Sequence, residues 1–77
     1  MRIQVILHSI LREKLPAEAR GRAVLDLAEG SRVRDVLARL DLAVTVVWAV
    51  NEQMDRDPER LLADGDTLRF LRPGAGG

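Results

Sequence analysis

Apolar residues near the start of the chain fall two apart, at Ile3, Val5 and Leu7. Successive side chains of a strand point to opposite faces, so this spacing predicts a strand over residues 2–8 with one buried face. The same alternation returns at Ala23, Leu25 and Leu27, after a mixed segment from Ser9 to Leu15 and Pro16. A second strand over residues 22–27 is expected to pair with the first as a hairpin with a long loop. Gly30-Ser31 punctuates the chain, and Val33, Val36, Leu37 and Leu40 then fall at helical spacing, with Arg32, Arg34, Asp35 and Arg39 on the remaining face. This predicts one amphipathic helix. Ser31 is the expected N-cap, because of the two candidates only serine, not Arg32, has a short side-chain oxygen to accept an orphan amide.

Residues Val44 to Val50 are mostly β-branched and apolar, which suits a central strand covered on at least one face. Asn51-Glu52 reads as a turn into a short strand around Gln53-Met54, and because it lacks glycine one of its residues is expected to be strained. A polar stretch with Pro58 and then Leu61-Leu62 follows, and Asp64-Gly65-Asp66 supplies a tight turn into a last strand. There Leu68 and Phe70 share one face while Arg69 and Leu71 share the other. Trp48 is expected in the core beside Val46 and Val50, whereas the opposite register would expose it as a binding aromatic. The order strand, strand, helix, strand, short strand, strand predicts an α+β domain: a mixed sheet of four to five strands with one main helix packed on one face. The domain is expected over residues 1–72, with a C-terminal tail over residues 73–77.

Composition narrows the chemistry. The 77 residues hold no cysteine and one histidine, His8, which argues against a zinc or iron–sulfur site and against thiol catalysis. Twelve basic side chains balance twelve acidic ones, and the aromatics are Trp48 and Phe70 alone, a poor platform for nucleic acid. No apolar stretch is long enough to span a membrane and no signal peptide is legible, so a cytoplasmic protein is expected. A free monomer is expected as well, since no long apolar seam is evident. His8, without an Asp or Cys motif nearby, is read as a spectator.

The candidate chemistry lies in the tail. Pro73-Gly74-Ala75 leads into Gly76-Gly77, and two glycines have no side chain to react. What they offer is an α-carboxylate on a backbone slim enough to thread a narrow channel.

With the residues in this order, the chain resembles the ubiquitin-like β-grasp proteins, and within them the small sulfur-carrying subunit of molybdopterin synthase and its relatives, including the thiamine-pathway sulfur carrier. The supporting stretches are Ser9-Ile10-Leu11-Arg12-Glu13, Glu29-Gly30, Ala49-Val50-Asn51, Asp64-Gly65-Asp66 and Pro73 through Gly77. The resemblance implies a substrate and not a catalyst. An activating enzyme of the ubiquitin-activating type adenylates the Gly77 carboxylate with ATP, and a sulfur donor displaces AMP to leave a thiocarboxylate. It implies that Gly74, Ala75 and Gly76 thread the partner's channel and that the chain binds no cofactor of its own. Leu71, outward beside Arg69 and close to the tail, is expected with Arg69 and Pro73 to contact the partner. The implied partners are the activating enzyme and the large subunit of molybdopterin synthase or another sulfur acceptor. His8 stands where an aromatic or apolar residue is usual, and Gly74 where a larger one would pin the tail.

Two other uses of the same tail follow from the resemblance. One is sulfur delivery for thiamine, cysteine or tRNA thiolation, and the other is protein modification, in which a lysine amine captures the activated Gly77. A plain interaction domain predicts instead that the final glycines are dispensable.

Overall fold

The computed structural model describes residues 1–43 and 45–72. Five strands form one sheet: β1 (Arg2–Leu7), β2 (Arg22–Asp26), β3 (Val47–Val50), β4 (Gln53–Asp55) and β5 (Thr67–Leu71). The helix α1 (Val33–Arg39) lies between β2 and β3 in sequence. The strand order is β2-β1-β5-β3-β4, with β5 parallel to β1 and every other neighbour antiparallel. The expected hairpin of the first two strands is present, and its loop contains two short 3₁₀ turns, Ser9–Lys14 and Ala17–Ala19.

One face of the sheet and one stripe of α1 make the core. Ile3, Val5 and Leu7 from β1, Leu25 from β2, Trp48 and Val50 from β3 and Leu68 and Phe70 from β5 cluster with Val33, Val36, Leu37 and Leu40. Trp48 is a core residue as expected, and it meets Phe70 edge to face with ring centroids 6.4 Å apart. Such pairs add about 0.5–1.5 kcal/mol beyond area burial.

Three local expectations are corrected. The N-cap of α1 is Arg32 and not Ser31. The first helical amides need no serine, because carbonyls of a distant loop take them: Val33 N–H donates to Arg60 O at 3.0 Å and Arg34 N–H to Pro58 O at 2.9 Å. Asp35 Oδ2 reaches back to accept from Arg32 N–H at 2.7 Å, and the Ser31 hydroxyl donates instead to Ala28 O. The strand expected over residues 44–50 begins only at Val47, after a turn at Thr45 and Val46, and Val44 lies outside the described residues. The first two strands each stop one residue early, at Leu7 and Asp26.

The β3–β4 turn matches its expectation of strain. Val50 pairs with Gln53, leaving Asn51 and Glu52 as a two-residue loop with φ of 50° and 71°. Both central residues of the tight hairpin turn that suits strand twist need positive φ, which asparagine tolerates far better than glutamate. Asn51 is also fixed by its side chain, which accepts from Thr67 N–H at 2.9 Å and donates to Asp66 Oδ1 at 2.8 Å. At the same end of β5, the Asp64-Gly65-Asp66 turn is bonded to β1. Arg2 N–H donates to Asp64 Oδ1, Gly65 N–H to Arg2 O, and Gln4 N–H to Asp66 O. Those bonds set β5 parallel to β1. At the end of β4, Asp55 has its carboxyl held below the usual range by the Asp57 amide first and by Arg60 next.

Gly21 closes the long loop under tighter constraint than Gly65. Both have positive φ, but a Cβ on Gly21 would sit 2.6 Å from Leu7 O and 2.9 Å from Arg12 Cγ, whereas one on Gly65 would meet nothing within 4 Å. Gly65→Ala is therefore expected to cost about 1–2 kcal/mol, the strain of left-handed backbone alone. Gly21→Ala adds ~1–3 kcal/mol of overpacking. Urea midpoints of the two variants check this, and equal losses would contradict the close approach at Gly21.

Candidate functional site

The register of the sheet sorts the remaining strand residues onto the face turned away from α1. Ile6 pairs with Arg22 on one side and Arg69 on the other, Arg69 pairs with Ala49, and Ala49 pairs with Met54. These five form a row across the whole sheet. Leu71 and Val47 pair beside it, and Val24, Gln4 and Thr67 line up on the opposite side. The face is mixed: Ile6, Val24, Val47, Ala49, Met54 and Leu71 stand among Arg2, Gln4, Arg22, Asp26, Thr67 and Arg69, with Met54 and Val24 well exposed and Ile6, Val47 and Leu71 half-buried.

Arg69 stands in the middle of this face, and it is held from both sides. Its Nη1 lies 2.9 Å from His8 Nε2, and its Nη2 donates to Glu52 Oε1 at 2.9 Å. A guanidinium has only donors, so His8 Nε2 must be the acceptor and the imidazole proton must sit on Nδ1. His8 is thus a brace for Arg69 and not an isolated side chain. Sequence reasoning assigned it no role, because the pairing joins residues 61 positions apart and depends on the parallel β1–β5 register. Arg69 and Leu71 do share the outer face, as their alternation predicted. The strained turn residue Glu52 belongs to the same group, since its side chain is the second brace.

Pro73, Gly74, Ala75, Gly76 and Gly77, the expected tail contacts and the expected reactive carboxylate, lie outside the described residues. The strand that leads to them ends at Leu71, so the root of the tail borders this face. Two shallow depressions of about 340 and 360 Å³ are open to solvent, one over Gln4, Ile6, Arg22 and Val24, the other beside Arg12, Leu15, Pro16 and Arg20. Neither gathers an acid, a base and a nucleophile. Among the described residues no three His, Asp or Glu side chains converge as metal ligands, and no helix is long and apolar enough to cross a membrane.

A five-strand mixed sheet with a helix on one face, and a parallel pairing of first and last strands, defines a ubiquitin-like β-grasp protein. The ThiS family model matches residues 10–77, and the chain belongs to that family. Solved structures show the same fold. SAMP1 from Haloferax volcanii is 19% identical, with all of both chains covered and a TM-score of 0.76. A putative molybdopterin converting factor subunit 1 from Pyrococcus furiosus is 21% identical over 94% of this chain and 97% of that one, with a TM-score of 0.74. A complex of subunits 1 and 2 of the molybdopterin-converting factor from Helicobacter pylori contains a chain 18% identical, covered in full on both sides, with a TM-score of 0.68. A comparison with curated proteins finds no match.

The His8–Arg69 contact is testable without any partner. A double-mutant cycle of His8→Ala and Arg69→Ala, read by urea denaturation, should return a coupling of about 0.5–1.5 kcal/mol, as for a typical net hydrogen bond. Additive single losses would show that the two side chains act independently.

Proposed function

We propose that the chain is a sulfur carrier, charged as a thiocarboxylate at Gly77, and that it serves as the small subunit of molybdopterin synthase. The observation that carries this reading is the family match, which runs without a break to Gly77 and so takes in the tail as well as the domain. A carboxylate is a poor electrophile until it bears a good leaving group. An adenylating enzyme would supply that group from ATP, with positioning and Mg²⁺ at its own site. The role of this chain is then to present the carboxylate: Gly76, Ala75 and Gly74 would give slim backbone for threading, and Leu71, Arg69 and Pro73 would contact the partner. It is a substrate of its activating enzyme and binds no cofactor. The likeness in fold to the subunit 1 chain solved with its subunit 2 supports a large-subunit partner.

A second reading is favoured by the likeness to SAMP1, a fold neighbour also described as a small archaeal modifier protein. In it the same activated Gly77 is transferred to a lysine amine. Delivery of sulfur to thiamine, cysteine or tRNA uses the same tail and changes only the acceptor.

A strain lacking this chain is expected to lose molybdenum-enzyme activity, regained with the full chain and not with one lacking Gly77. Full activity in the deleted strain, with no second copy of the gene, would contradict the molybdopterin assignment.

A further inference from the structure

The chain is poor in amines. Of its twelve Lys and Arg side chains only one, Lys14, is a lysine. A guanidinium stays protonated throughout the physiological range and does not accept acyl groups, so the arginines bring positive charge without a nucleophile. The α-ammonium of Met1 is engaged: it donates to Leu27 O at 2.8 Å and has Glu29 Oε1 3.9 Å away. Leu27 N–H in turn donates to Met1 O at 2.8 Å, which clamps residue 1 to the chain beyond β2.

Lys14 is differently placed. It is the last residue of the first 3₁₀ turn, its side chain is 41% exposed, and its Nζ lies 3.5 Å from Asp41 Oδ2, on a side chain that is 97% exposed. An ion pair of that length in solvent holds the amine weakly. The turn starts where β1 ends, and β1 ends beside the end of β5: Leu7 pairs with Phe70, and His8 N–H donates to Phe70 O at 3.1 Å. The segment that carries Lys14 and the root of the tail therefore leave the sheet at the same end. Five residues beyond Arg72 can span up to ~17 Å when extended.

We propose that Lys14 is the acylation site of this chain, the amine that captures the activated carboxyl of Gly77, from the same copy or a second one, when no sulfur donor intervenes. The inference rests on the carrier reading above. Lys14 Nζ, having released one proton, attacks the carbonyl carbon of the Gly77 acyl adenylate. A C–N bond forms, the C–O bond to the phosphate breaks, and AMP leaves with that electron pair. The nitrogen then loses a second proton, and Asp41 or water takes up both. The product is an isopeptide, made at the expense of the ATP consumed by the adenylating enzyme. Eleven arginines against one lysine thus leave the carrier with a single side-chain amine able to divert its own activated end into a stable amide.

The test incubates the full chain with its host's adenylating enzyme and ATP, without sulfur donor, with and without hydroxylamine. Hydroxylamine traps activated Gly77 as a hydroxamate whether or not Lys14 reacts. Trypsin cleaves poorly before proline and so spares the Arg72–Pro73 bond. The expected digest therefore contains a branched peptide, residues 13–20 joined through Lys14 to residues 70–77, and a search for a Gly-Gly remnant would miss it. A linear size with loss of water marks capture within one copy, and a covalent dimer marks capture between two; either supports the proposal. Lys14→Arg keeps the charge and the Asp41 pairing, and it should abolish the branched species while leaving hydroxamate formation unchanged. Hydroxamate without any Lys14-linked product, or an adduct that persists on Met1 in the variant, would overturn the proposal. Absence of hydroxamate in every arm would overturn the carrier reading with it.

Discussion

Strand β5 is the element on which the other parts depend. It lies between β1 and β3, hydrogen-bonded to both, so it joins the hairpin β1–β2 to the hairpin β3–β4 in one sheet. Its inward residues Leu68 and Phe70 have no solvent exposure, and Phe70 meets Trp48 across the β3 pairing. Loss of β5 would leave two separate hairpins, and isolated hairpins are marginal at best in water. The Asp64-Gly65-Asp66 turn and Asn51 both serve this strand by fixing its start against β1 and β3. Because β5 is the last strand among the described residues, the rigidity that holds the sheet together also fixes the point from which residues beyond Arg72 depart.

The two faces of the sheet divide the work. One is closed by α1 and supplies stability in a chain without disulfides. The other is left without a helix, mixed in polarity, with the braced Arg69 at its centre. An arginine held at both ends has lost much of its rotamer freedom before any partner arrives, so less entropy remains to be lost on binding. The left-handed backbone of Glu52 is tolerated in the same turn that lets its carboxylate reach Arg69. That arrangement fits the proposed presenting role, in which the reactive group needs position and access.

Much of the fold was legible in the sequence because it rests on local periodicity: Ile3, Val5 and Leu7 for β1, Val33 through Leu40 for α1, and Leu68 with Phe70 for β5. The outward placement of Arg69 and Leu71 followed from the same alternation. What failed were features set by residues far apart. Ser31 had the right chemistry for a cap, yet the carbonyls of Pro58 and Arg60 had already taken the amides it would have served. Val46 has the composition of a strand, but it falls in a turn ahead of β3. His8 looked idle because nothing near it in the chain could use it, and its partner lies on a strand that only the β1–β5 pairing brings alongside. The tail was read from Gly76 and Gly77 and from a resemblance, and it lies outside the described residues.

The proposed role of this small domain is to present one carboxylate to enzymes that do the chemistry. It is tested most directly by the intact mass of the chain after incubation with its host's activating enzyme, ATP and a sulfur donor, beside a chain that lacks Gly77. Replacement of one oxygen by sulfur in the full chain, with no change in the shortened one, is the expected result. An unchanged full chain, with the same enzyme active on another carrier, would contradict it and leave a β-grasp domain that acts by binding alone.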